Sequence, residues 1–455
     1  MARSTVRDLT VGSPLKLVVS FTVPLLFGFL FQQLYSFVDT ALVGRYLGSE
    51  ALAAVGSTGS LNFLILGFCM GICSGFSIPV AQAFGAKDEE ELRRYVVHCV
   101  YLGAVISLVM GALTAIFCPQ MLRATNTPEE IIGRAQSYIR PVFAAIPVMM
   151  LYNMASGIMR SLGDSKTPVY FLAMASLVNI ALDLLFILVF QMGVAGAALA
   201  TIISQLASGV GCVIMLVKRF PILRMQREDF RFRPIFARRL MGMGVPMGLQ
   251  FSITAIGSVI MQTAVNGLGT ITVAAISAGG KLYSFFSCIF DALATTMATF
   301  AGQNIGARKL KRVHQGLKAA GIMGGVYCVL VFAVMVLFGR QLLGLFVKQT
   351  DVQVIDLAYR YMCVNTACFL LLLGVNIYRL TIQGMGFTRI AMLAGVMEMV
   401  ARTAVAMILV PIFGFDGACA SNPAAWLFAD IFLIPCYLRI TKKLEHRLQP
   451  AGDNI

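Results

Sequence analysis

Twelve apolar runs, each long enough to cross a bilayer as a helix, constrain this chain more than anything else in it. They fall near residues 17–43, 51–77, 95–117, 138–158, 168–190, 195–217, 241–266, 273–299, 316–338, 359–381, 390–412 and 417–438. A membrane-crossing helix needs about 20 such residues, rising ~1.5 Å each. Of the 455 residues, 58% are hydrophobic and 13% charged, with a mean hydropathy of +0.82. A soluble chain of this length would need far more polar surface. The expected fold is an all-α integral membrane protein with 12 transmembrane helices, and the loops are too short for a further domain. Met1 to Lys16 is polar and no cleavage-like site follows the first apolar run. That run therefore reads as a retained span rather than a leader.

The net charge of +15 does not mark a nucleic-acid binder. The charges lie in short clusters between apolar runs, as the positive-inside rule requires. The N-terminus, the even-to-odd loops and the C-terminus hold 26 of the 36 Lys and Arg residues. The largest cluster, "KRFPILRMQREDFRFRPIFARR" at 218–239, holds eight. Both termini are expected in the cytoplasm. The eleven cysteines are scattered through apolar runs without a CxxC pair. They read as small hydrophobes rather than as a metal or disulfide framework. No cofactor is expected.

The chain repeats itself. "AQAFGAKDEE" at 81–90 aligns with "GQNIGARKLK" at 302–311, and "ALAAVG" at 51–56 with "TVAAIS" at 272–277, both 221 residues apart. Pro24 aligns with Pro246, Gly163 with Gly386, and "GVAGA" at 193–197 with "GFDGA" at 414–418. Residues 1–217 are therefore expected to form an N-lobe and 241–438 a C-lobe, six helices each. A basic linker at 218–240 joins them, and a cytoplasmic tail occupies 439–455. Six is even, so both halves enter from one side, as a parallel repeat about the membrane normal. Two such bundles in a V around a central cleft suit alternating access. A receptor or scaffold has no need of this repeat.

Ionisable residues inside a span are costly and mark ion or substrate paths. In the first half these are Asp39 and Asp183. Gln32, Tyr35 and Asp39 share one helix face at spacings of three and four. Asn179 and Asp183 are one turn apart, and Thr201, Ser204, Gln205 and Ser208 form a polar stripe on the next helix. Counted from the nearest helix ends, Asp39, Asp183 and Thr201 all fall roughly 8–12 Å below the outer surface. Two carboxylates, an amide and a hydroxyl at one depth suit Na⁺. They suit a proton equally, since adjacent carboxylates resist carrying two negative charges. At the repeat shift, Asp39 falls on Ile260 or Met261, and Asp183 near Ala404 to Ala406. The ion site is therefore expected in the first half alone. In the second half, Asp291 and Asp430 are candidates for a cleft that attracts cations, whereas Glu398 and Arg402, one turn apart, read as a structural ion pair.

Together, "PLLFGFLFQQLYSFVDTALVGRYLG", "AQAFGAKD", "GIMRSLGDSKTP", "VNIALDLLFI" and "GQNIGARK" make the chain resemble the multidrug and toxic compound extrusion (MATE) family from about residue 12 to 440. The resemblance implies a V-shaped, twelve-helix antiporter that expels organic cations and drugs in exchange for H⁺ or Na⁺. It implies a monomer in the inner (cytoplasmic) membrane, with no nucleic-acid partner and no catalytic residues. In prokaryotic members with an N-lobe ion site, the pattern matches Asp39, Asn179, Asp183 and Thr201. By the same resemblance, Tyr35 and Tyr138 stand near that site and Asn153 in the N-lobe cavity. Gln250 and Thr254 occupy the region where other members carry a helix-7 glutamate, so a C-lobe Na⁺ site is not expected. The alternative within the superfamily is a flippase for lipid-linked oligosaccharides. It fits less well with twelve runs and few intramembrane Lys or Arg residues. The loop "AFGAKDEEELRR" also departs from the GxxxDRxGRR pattern of a major facilitator.

Overall fold

The computed structural model describes residues 7–125, 127–347 and 351–448. It is helical along almost its whole length. In the first half the helices are α1 (Pro14–Leu47), α2 (Ser49–Ser57), α3 (Gly59–Ala86), α4 (Glu89–Ile116), α5 (Cys118–Ala124), α6 (Glu129–Ala144), α7 (Ile146–Ser161), α8 (Lys166–Leu184) and α9 (Val194–Arg219). In the second they are α10 (Pro234–Asn266), α11 (Thr270–Gly306), α12 (Leu310–Leu343), α13 (Val352–Ala367), α14 (Phe369–Gly384), α15 (Thr388–Ala404), α16 (Val410–Phe413), α17 (Phe415–Cys419) and α18 (Ser421–Leu448). Among the described residues, ten stretches are long and apolar enough to span a bilayer alone. The pairs α6–α7 and α13–α14, bent by 48° and 50°, supply two more, which accounts for all twelve runs. Large apolar side chains such as Leu108, Ile116, Val329, Leu337 and Met407 lie exposed, as lipid-facing surface requires.

The repeat is written into the backbone. Left-handed or otherwise positive φ occurs at Gly48 and Gly269, Lys87 and Arg308, Gly163 and Gly386, and Gly193 and Gly414, 221 to 223 residues apart. The bends at Ala145 and Cys368 match as well. So do two π-helical segments, Leu185–Val189 after α8 and Val405–Leu409 after α15. Pro147 follows the first bend, while no proline lies beside the second.

Two compact units emerge from the packing. The first holds Asp8 and Phe27–Ser252, and the second Leu9–Leu26 and the chain from Ile253 onward. In the first, α3 meets α10 along a small-residue seam. A Cβ at Gly71 would lie 2.6 Å from the Met247 carbonyl, and one at Gly75 would lie 2.5 Å from the Cα of Gly244. Only hydrogen fits there, as in other close crossings of membrane helices.

The repeated motifs work at helix ends. Gln303 Oε1 accepts from the Leu9 N–H at 2.9 Å, and the equivalent Gln82 Oε1 accepts from Arg239 Nη2 at 3.0 Å. In "GDSKTP", Gly163 leaves room for the Arg7 carbonyl, which any Cβ there would strike. Asp164 Oδ1 then accepts from the N–H groups of Lys166 and Thr167, both at 3.0 Å, and so caps α8. The linker is anchored too: Asp229 accepts from Arg93 Nε at 2.9 Å, and His98 Nε2 accepts from the Arg233 N–H at 2.9 Å.

Candidate functional site: a buried carboxyl pair

Asp39 on α1, Asn179 and Asp183 on α8, and Thr201 on α9 come together inside the first unit. Asp39 is 8% exposed and Asp183 fully buried. Their carboxyl groups are within reach of a mutual hydrogen bond. Two ionised carboxylates can only accept, so a bond between them would need one proton. The other oxygen of each, Oδ1, is buried without a hydrogen-bond partner. Asn179 joins the next helix: its amide nitrogen donates to Asp183 Oδ2 at 3.1 Å, and its oxygen accepts from the Thr201 backbone N–H at 3.2 Å. Tyr35, one turn before Asp39, lies close enough to the Thr201 side chain to interact with it. Tyr138 lies close enough to feel both carboxyls. It packs against the buried apolar cluster of Val43, Ala51, Ile187, Val194 and Ala197.

Local sequence explains the placement. Asn179 and Asp183 sit one turn apart, so both project toward α9. The π segment begins two residues after Asp183, at the position where such wider turns are often found beside functional groups. On α9, Ser208 donates to the Phe171 carbonyl at 3.1 Å and holds α8 against the stripe.

Two candidates stand apart. Gln32 is exposed on α1. Asn153 is half-buried and donates to the Met149 carbonyl of its own helix at 2.8 Å.

The second unit carries charges of a different kind. Asp291 on α11 is exposed. Asp430 on α18 is buried against Gly374, where a Cβ would lie 2.6 Å from its Oδ2. The expected Glu398–Arg402 pair is not formed. Glu398 pairs instead with Arg379 of α14, both almost fully buried, while Arg402 donates to Asn422 Oδ1 at 3.0 Å. Spacing along one helix favoured the local partner, but the neighbouring helix supplies a cation in a drier place. Removing one member of such a pair leaves an uncompensated buried charge, at a cost of about 3–5 kcal/mol. Arg379→Met should therefore lower the melting temperature in detergent sharply. Arg379→Met with Glu398→Met should recover most of the loss, and a double change no better than the single one would refute the pairing.

Twelve helical spans built as a repeat, with an ionisable cluster buried in one half, define a multi-pass membrane transporter rather than an enzyme. Comparison with known proteins gives the family. The sequence profile described as MatE matches twice, at residues 24–185 and 246–408. The probable multidrug resistance protein YoeA of Bacillus subtilis is 32% identical over 377 residues, 80% of each chain. The multidrug export protein MepA of Staphylococcus saprophyticus is 23% identical, covering 85% of this chain and 86% of its own. Among solved structures, an outward-facing multidrug resistance MATE transporter superposes with a TM-score of 0.91 at 22% identity, over 98% of this chain and 100% of that one. The chain belongs to the MATE family. The double match also places the same profile on both halves of the repeat.

Proposed function

We propose that this protein is a secondary antiporter that exports organic cations and drugs across the cytoplasmic membrane in exchange for H⁺ or Na⁺, by alternating access. Residues 1–217 act as the N-lobe and 241–438 as the C-lobe, and both termini face the cytoplasm. The observation that carries this reading is the carboxyl pair of Asp39 and Asp183, buried together with one oxygen of each left without a partner. Those two oxygens, with Asn179 and Thr201, make a donor set that fits a hard cation and equally a shared proton. Binding either ion neutralises buried charge, so ion entry is coupled to the position of α1 relative to α8. The drug substrates are inferred from the names of the relatives, and the cytoplasmic setting of the basic linker from the positive-inside rule.

The test is dye transport in vesicles of the purified protein, with a pH gradient or a Na⁺ gradient imposed separately. Ethidium should move against its gradient under at least one of the two. Movement under neither would end the antiport reading, and the gradient that works names the ion.

A further inference from the structure

The linker between the halves exposes large apolar side chains among its arginines. Phe230 and Phe232 are 52% and 55% exposed, and Ile235, in the first turn of α10, is 73% exposed. Exposed apolar groups this close together mark a surface that something covers. Their position is fixed by the helix they lie on. Tyr101 Oη of α4 donates to the Phe230 carbonyl at 3.1 Å. The buried His98 ring, one turn earlier, packs on Phe232 with centroids 5.4 Å apart and on Phe236 at 5.3 Å. Asp229, 2% exposed, accepts from Arg93 Nε and from the Gln226 N–H, both at 2.9 Å. The turn is thus braced from inside the protein.

Tyr101 also gives the depth. Its neighbour Val100 is the first exposed apolar residue of α4, and the exposed face runs on through Val105 and Leu108. The linker rings therefore stand where α4 starts to present apolar surface, which is the border between headgroups and acyl chains. The charges match that place. Arg224, Arg227, Arg231 and Arg238 are exposed, and none of them forms an ion pair among the described residues. Of the two acids in the linker, Asp229 is turned inward to Arg93 and only Glu228 is exposed. The rule that sets orientation asks for positive charge alone. It needs neither exposed rings nor a braced turn. Rings at headgroup depth with guanidinium groups beside them fit the phosphates of acidic lipids.

The geometry points to residues 224–238 as a seat for anionic phospholipid headgroups. Phe230, Phe232 and Ile235 enter the border of the bilayer, and Arg227 and Arg231 hold phosphate. The linker runs straight into α10, so the bound lipids set where that helix enters the membrane. The inference rests on the chain being a membrane protein, and on neither drug export nor ion coupling.

The test is fluorescence quenching of the full-length Phe230→Trp protein in phosphatidylcholine vesicles that contain a minor fraction of phosphatidylglycerol. Bromine near the carbonyl end of the acyl chains is carried either by the phosphatidylglycerol or by an equal mole fraction of the phosphatidylcholine. Trp426, the one natural tryptophan, is 2% exposed, and its signal in the wild type is subtracted. Brominated phosphatidylglycerol should quench the new tryptophan about fivefold more strongly than brominated phosphatidylcholine. Adding Arg227→Gln and Arg231→Gln should remove most of that preference and leave quenching by the neutral lipid unchanged. Equal quenching by the two lipids before the arginines are changed would overturn the seat. So would quenching by neither, which puts the ring in water or under a second copy of the chain. An equal fall for both lipids in the arginine variant also overturns it, since that is the mark of arginines that only shape the turn.

Discussion

Vesicles carrying Asp39→Asn or Asp183→Asn should show no gradient-driven ethidium efflux above protein-free vesicles, although the protein inserts and purifies at wild-type levels. Asparagine keeps the shape of the side chain and most of its hydrogen bonds, but it cannot exchange a proton or neutralise a metal ion. The two carboxyl groups lie close enough to act on each other, so either change alters the pair. The expected losses are therefore alike and not additive: the double variant should look like either single one. Asn179→Ala should be milder, since it removes the bridge from Asp183 to the Thr201 backbone but leaves both titrating groups. Near-normal efflux from both single aspartate variants would remove the ion site from the first half. A selective loss in Asp183→Asn alone would show that Asp39 only positions its partner.

The largest effect on stability should come from a residue with no side chain. Gly75→Leu places a branched side chain where α3 and α10 meet through backbone atoms. Even the first added carbon would lie 2.5 Å from the Gly244 Cα and 2.7 Å from the Met243 carbonyl. Backbone cannot rotate away as a flexible side chain can, so the helices must separate along the seam. Overpacking of ordinary cores costs about 1–3 kcal/mol, and this contact should exceed that range. The readout is the yield of monodisperse protein in size-exclusion chromatography and its melting temperature, both expected to collapse. Gly325→Ala in α12 is the control: a Cβ there meets nothing within 4 Å. Replacing a mid-helix glycine with alanine is worth about 0.5–1 kcal/mol in favour of the folded state when space allows. A Gly75→Leu variant as stable as Gly325→Ala would mean that the seam is not closed.

The sequence reveals the spans, the repeat and the members of the carboxyl cluster for one reason: each depends on contrast in polarity. An aspartate inside an apolar run is conspicuous, and three polar positions at one depth on three helices can be found by counting rise per residue. Other features leave no such mark. The bend at Cys368 has no proline, so the run across it looks continuous. The partner of Glu398 is on another helix, and spacing along α15 pointed to Arg402 instead. Gln32 shares a helical face with Asp39 by count, yet lies exposed, because a face several turns long need not stay against one neighbour.

The π segment after Asp183 has a consequence for how such a site is inherited. Leu185–Val189 spends one more residue on its turn than the α-helix that leads into it. Losing a single codon there would let the segment close into regular α-helix. The lost residue would be taken up within the turn, so the adjustment falls on the chain that follows it. Asp183 would keep its face toward Asp39, because it lies on α8 before the segment. Both duplicated halves keep this wider turn, so each has a place where length can change between a span and the next helix without moving the residues that precede it.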